Sequence, residues 1–202
     1  MDTANTETTA NYSRYIPFTQ QSYCCVPTSI QMVMYRHGFP LVPAEDLGYH
    51  LGLTVPPEDE HLFHKVRVTQ EPPVASGYGT QIQLAEYEPN KAFQSLDIPL
   101  VFSQQLISGI SSVEDLMTIL QKIEADDSDA LLCFNHGVIR GAYEPNTGHV
   151  VVFDKIIGNK VQIVDASPRN PKWRLIELDI LYSAMAQHGD DNFGGIWLLT
   201  NS

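Results

Sequence analysis

The strongest constraint on this chain lies between Gly148 and Asp165. His149 to Ile157 is a mostly apolar run, Gly158-Asn159 is a turn signal, and Lys160 to Asp165 is a second apolar run. Runs joined this closely predict an antiparallel hairpin, and a hairpin alone is marginal, so further strands and a covering layer are required. Ala130 to Phe134, Gly195 to Leu199 and Ile98 to Phe102 supply short strand candidates. Helical patterns fill the earlier part of the chain. Cys25 to His37 reads as a helix: Pro27 suits a first turn, where a missing N–H costs nothing, and Gly38 is a stop signal. Ala44 to Leu51 reads as a short second helix and Asn90 to Leu96 as one or two turns. Ser111 and Glu114 suggest a capping box for a helix reaching about Glu124, with Val113, Leu116, Met117 and Leu120 at helical spacing. Ile176 to Gln187 reads as a final helix. Helices first and antiparallel strands later predict an α+β fold.

Bulk properties narrow the function. The chain has 202 residues, which predicts one catalytic domain over residues 13–202 behind a polar tail, 1–12. The formal net charge of -12 argues against nucleic-acid binding, because an acidic surface repels phosphate backbones. No apolar run is long enough to span a membrane, and the first residues lack a basic start followed by an apolar stretch. A cytoplasmic location with no membrane partner is the expectation. Cys24, Cys25 and Cys133 are odd in number and contain no Cys-x-x-Cys pair, so neither a disulfide framework nor a zinc site is expected. His61 and His64 lack helical spacing and sit among prolines, which argues against a metal pair there. Thr54 to Thr80, with four prolines and two glycines, reads as a long irregular stretch. Within it and just beyond, Ser76 to Gln81 reads as an ordinary surface loop in preference to a groove lining.

The chemistry-bearing residues begin with Gln20-Gln21-Ser22-Tyr23-Cys24-Cys25. A thiol at a helix start faces the positive end of the helix dipole, which stabilises its thiolate. The same helix start offers free N–H groups to an oxyanion, and a preceding glutamine can add a side-chain donor. A thiolate nucleophile also needs a proton acceptor. Among seven histidines, His149 opens an apolar strand at its edge, and Asp165 closes the next strand sixteen residues on, where a carboxylate can hold the imidazole. His136 is the rival base. Asp154 is a rival orienter, but it lies five residues from His149 along one strand and so points to the other face.

Together these residues resemble a known family. Cys25-Val26-Pro27-Thr28-Ser29-Ile30-Gln31-Met32 is similar to the Cys-Gly-Pro-Thr-Ser-Leu-Ala-Met pattern of papain-like cysteine peptidases of the bacteriocin-processing, double-glycine-leader type. Gly148-His149-Val150-Val151-Val152 resembles that family's Gly-His strand, and Asp165-Ala166-Ser167-Pro168 its Asp-Pro motif. The resemblance implies a papain-like fold and a split site, with the cysteine helix in one half and the histidine and aspartate on a sheet in the other. It implies acyl transfer without a cofactor: Cys25 attacks a peptide or small amide, His149 shuttles the proton, Asp165 orients the imidazole, and Gln20 lines the oxyanion hole. Two alternatives are an acyl transferase that passes the thioester to an amine, and a non-catalytic peptide-binding module. The chain departs from the pattern in two places. Val26 replaces a glycine, and Gln20 and Gln21 stand five and four residues before the cysteine rather than six.

Two geometric expectations follow. The Cys25 helix should lie against the sheet face that carries His149. The hairpin should have a three-residue loop, Ile157 to Asn159, or a bulge of equal effect, because a regular two-residue turn sets Asp165 opposite Val152, on the wrong face for His149. In the latter case Asn170 is the next candidate orienter.

Overall fold

The computed structural model describes residues 13–73, 77–141 and 147–202. The expected tail, 1–12, lies outside them, as does Ser76. Helices α1 (Cys25–Arg36) and α2 (Ala44–His50) come first, followed by two-residue strands β1 (Thr54–Val55) and β2 (Arg67–Val68), which pair in parallel. Helix α3 (Pro89–Ser95), strand β3 (Leu100–Leu106) and helix α4 (Val113–Ala125) follow. Strand β4 (Asp129–Asn135) runs into the single turn α5 (His136–Ile139). The hairpin is β5 (Gly148–Ile157) and β6 (Lys160–Val164), and β7 (Trp173–Glu177), α6 (Leu178–His188) and β8 (Gly195–Asn201) complete the chain. The main sheet has six antiparallel strands in the order β3-β8-β4-β5-β6-β7. This is the expected α+β arrangement.

The β5 side chains alternate between two cores. Val150 and Val152 join Leu131, Trp197 and the α1 residues Val26, Ile30 and Val33 in one cluster. Val151 and Phe153 join Phe134, Ile163 and residues of α4 and α6 in the other. The central strands are therefore buried on both faces, which explains why β4 and β5 read as continuous apolar runs. The sequence expectation for α1 is corrected here: the helix covers the Val150 and Val152 face, whereas His149 has the parity of Val151 and Phe153.

The other departures have local causes. The α4 cap is Ser112, whose hydroxyl accepts from Asp115 N at 3.2 Å, while the Asp115 carboxylate accepts from Ser111 N at 2.9 Å. The reciprocal bonding is thus shifted one residue from Ser111 and Glu114. Residues 173–177 form an edge strand that the sequence reading missed, and α6 starts at Leu178 rather than Ile176. The hairpin turn is two residues after all, since Ile157 pairs with Lys160, but the ladder shifts between Phe153 and Lys155. Gly158 takes the turn at φ 63°, a conformation glycine adopts without strain. Asp154 is the extra residue of a bulge, so Val152 pairs with Val164, and the same register carried one residue beyond β6 sets Asp165 opposite Val151.

Candidate active site

A cleft of about 560 Å³ opens at the end of β5. Cys25 and His149 both line it, together with Gln20 and Gly148. Cys25 is the first residue of α1 and His149 the second of β5, so each stands at the end of its element and the two meet there despite the opposite sheet faces.

The turn into α1 is tightly built. Tyr23 has φ 65°, a left-handed conformation that is costly for a bulky residue and concentrates at functional sites. Its hydroxyl donates to Asp59 at 2.6 Å, and its ring meets Tyr78 edge-on at 6.3 Å. Among the described residues no side chain caps α1. First-turn N–H groups have no acceptor within a helix, and Pro27 has no N–H, so Cys25 and Val26 retain theirs beside the cleft. Val26 lies inside the helix, where no positive φ is required, so the glycine it replaces is not needed for backbone freedom.

Gln20 and Gln21 have different surroundings. Gln20 lines the cleft, its backbone N–H donates to Ala166 O at 2.9 Å, and its Oε1 is buried without a partner among the described residues. The Gln21 side-chain amide donates to Leu62 O instead.

His149 and Asp165 are both buried. His149 Nε2 lies 2.8 Å from Asp165 Oδ1. With Nε2 engaged, Nδ1 is the ring nitrogen left for a partner in the cleft that Cys25 also lines. Burial opposes the charged imidazolium, but the Asp165 bond and the adjacent Cys25 outweigh it, and the His149 pKa rises to about 9. Burial likewise works against the Asp165 carboxylate, yet its bonds from His149, Ser167 N and Asn170 hold its pKa well below the usual carboxylate range. The other thiols differ from Cys25, which is partly exposed. Burial pushes Cys24 up to about 12 and Cys133 well above its ordinary value.

Around this pair sits a layer that the sequence reading largely missed. Asn170 Nδ2 donates to Asp165 Oδ2 at 2.8 Å, and the Arg174 guanidinium reaches the same oxygen at 3.2 Å. Asn170 therefore supports Asp165 rather than replacing it. His136, the rival base, packs against His149 with ring centroids 4.9 Å apart and the planes tilted by 32°. Its burial and the neighbouring His149 charge lower its pKa to about 4, which leaves it neutral at pH 7. Lys172 Nζ donates to Phe18 O, Ala166 O and Ser167 O, joining the segment before Gln20 to the loop after Asp165. Asp154 serves elsewhere, accepting from Arg14 N and Gln162 Nε2.

The remaining sequence candidates fall into place. Gly77, Tyr78, Gly79 and Thr80 line the cleft, against the expectation of a plain surface loop, because Gly79 bridges Thr54 and Gln81 donates to Gly77 O and Gly79 O. His61 and His64 are exposed, and His61 Nδ1 contacts Glu58 O at 2.8 Å. Among the described residues no helix is long and apolar enough to cross a membrane.

Among solved structures, the chain is similar to a protein from Bacillus anthracis assigned as a C39-like peptidase. The TM-score is 0.56 at 16% identity, over 93% of this chain and 95% of that one. The fold is that of a C39-like, papain-type peptidase. A double-glycine motif protease from an AMS/PCAT transporter, solved with its leader peptide, matches with a TM-score of 0.49 at 15% identity, over 93% and 92% of the two chains. No protein-family model and no curated protein matches the sequence. In this C39-like fold, β7 and the loop before it bring Arg174 and Asn170 to Asp165. Neither residue carries a motif that marks it in the sequence.

Proposed function

We propose that the chain is a cysteine peptidase or amidase acting through a thioester on Cys25, with residues 13–202 as its catalytic domain. The observation that carries this reading is the 2.8 Å contact between His149 Nε2 and Asp165, which leaves Nδ1 for a thiol at a helix start in a shared cleft. The imidazolium favoured by Asp165 stabilises a thiolate at Cys25. The thiolate attacks the carbonyl carbon, and the carbonyl oxygen takes the negative charge. The N–H groups of Cys25 and Val26 stabilise that oxyanion, with the Gln20 amide as a further donor. His149 Nδ1 gives its proton to the leaving amine, and the carbonyl re-forms as a thioester. The now neutral imidazole takes a proton from water, which attacks the thioester and frees the acid and the Cys25 sulfur. Asp165 keeps Nε2–H as a donor throughout, and its own proton affinity is too low for it to take part in the transfer.

Intact-mass and peptide-mapping mass spectrometry with a peptidyl chloromethyl ketone tests the reading. One adduct on Cys25, absent from Cys25→Ala and strongly slowed in His149→Ala, is expected. Labelling of Cys24 or Cys133 in preference to Cys25 overturns the assignment.

A further inference from the structure

Resting on that reading, we propose that Arg169 recognises a carboxylate on the substrate, so that the cleft selects acidic peptides or amides. The chain has twelve lysines and arginines against twenty-four aspartates and glutamates, so a cation here has carboxylates to spare. The other five arginines all have partners. Arg14 and Arg36 pair with Asp127, Arg174 pairs with Asp165, Arg67 stacks on Tyr49 and Tyr87, and Arg140 is also engaged. The lysines are engaged as well, for example Lys160 with Glu177 and Lys172 with three carbonyls. Among the described residues, Arg169 is the one cation whose side chain has no partner, and it lines the same cleft as Cys25 and His149.

Its position is fixed by the loop that carries Asp165. Asp165 N donates to Lys172 O at 2.9 Å, and Ser167 N donates to Asp165 Oδ1 at 2.9 Å. Arg169 N donates to Ser167 Oγ at 3.2 Å, and the adjacent Asn170 holds Asp165 Oδ2. A free guanidinium on an ordered loop pays little to bind, since only its own side chain remains to be fixed. A guanidinium also matches the planar fork of a carboxylate. The surrounding charge agrees with this role. No aspartate or glutamate occurs among the described lining residues. Among the described residues, Arg169 is thus a cation that no lining carboxylate neutralises. Such a carboxylate has two sources, an acidic side chain or a free chain terminus, and both present the same fork.

The test uses Cys25 labelling and needs no known substrate. N-acetyl tetrapeptide chloromethyl ketones carry Glu, Gln or Lys at each position in turn, and every rate is divided by that of iodoacetamide with the same variant. At low salt the wild type should prefer Glu over Gln at one position by about tenfold, the size of one charge-assisted contact, and Arg169→Gln should abolish the preference. In a second arm, N-acetyl tetrapeptide acids and their amides compete against iodoacetamide. Protection by the acids alone, lost in Arg169→Gln, identifies a chain terminus as the source. The absence of any Arg169-dependent discrimination in both arms overturns the proposal. If iodoacetamide does not label Cys25 ahead of the other thiols, the peptidase reading fails instead, which keeps the two failures apart.

Discussion

Asp165 shares a face with His149 because Asp154 does not pair. A regular ladder from the Gly158-Asn159 turn sets Asp165 opposite Val152, whereas the extra residue at Asp154 moves it opposite Val151. The bulge is held from inside, since the buried Asp154 carboxylate accepts from Arg14 N at 3.0 Å and Gln162 Nε2 at 2.7 Å. Asp154→Ala should leave both donors short of a partner and cost about 2–3 kcal/mol, read from urea unfolding. An unchanged midpoint would mean that the bulge is maintained by the backbone alone.

The His149 and Asp165 pair should make stability depend on pH in a defined window. The folded pKa of His149 is about 9, against 6.5 unperturbed. The protonated form is therefore favoured by folding. Its contribution is complete below pH 6.5 and is lost as pH rises towards 9, and it is of the order of a few kcal/mol. Asp165→Asn keeps the shape but removes the charge, so the His149 pKa should fall, with burial then opposed by Cys25 alone. Titration of the His149 ring protons by NMR, with unfolding midpoints at pH 6 and pH 9.5, checks both statements. A His149 pKa that is the same in wild type and Asp165→Asn would contradict them.

The three thiols should separate cleanly on alkylation. Cys25 is partly exposed beside His149, whereas burial holds Cys24 near pKa 12 and Cys133 well above its ordinary value. At pH 7 iodoacetamide should label Cys25 first by at least about tenfold, because the thiolate is the reacting form. Cys24→Ala should leave most of that reactivity in place. Time-resolved peptide mapping gives the order directly.

Gln20 and Gln21 should differ in turnover. Only Gln20 lines the cleft, and the Gln21 amide is engaged by Leu62 O. Loss of one oxyanion donor typically lowers turnover by about 10²–10³-fold. Gln20→Ala should approach that range and also weaken a reversible peptide aldehyde, whose hemithioacetal carries the same oxygen. Equal effects from Gln20→Ala and Gln21→Ala would remove Gln20 from the oxyanion role.

Much of the architecture was legible because local signals and tertiary demand agreed. The helix at Cys25 had its proline in the first turn and a glycine stop, and β4, β5 and β6 were long apolar runs. The α4 cap was misplaced by one residue because Ser111 and Ser112 are adjacent and acidic residues follow at both possible offsets. β7 was missed because Trp173-Arg174-Leu175-Ile176-Glu177 does not alternate, and only Ile176 is buried. With it went Arg174. In the sequence His136 reads only as a rival base to His149. It comes beside His149 because β4 ends where β5 begins, Asn135 opposite Gly148, and that adjacency depends on strand pairing rather than on any motif.

Gly148 offers a test of how tightly the cleft wall is built. A Cβ placed there would lie 2.7 Å from His188 Cε1 and 3.2 Å from Nε2, well inside van der Waals contact. His188 is buried, and burial lowers its pKa to about 4, so it is a neutral wall of the cleft at pH 7. Gly148→Ala must therefore push either the His188 ring or the start of β5, and His149 is the next residue along that strand. Overpacking of this kind costs about 1–3 kcal/mol. Turnover should fall as well, since a shift of His149 disturbs its alignment with Cys25. His188→Ala removes the obstacle at the cost of a cavity. The double variant should then lose less stability than the two single variants together, with a coupling of about 1–3 kcal/mol, and should recover part of the Cys25 alkylation rate lost in Gly148→Ala. Additive single effects, in both unfolding midpoints and alkylation rates, would show that the wall yields without disturbing His149.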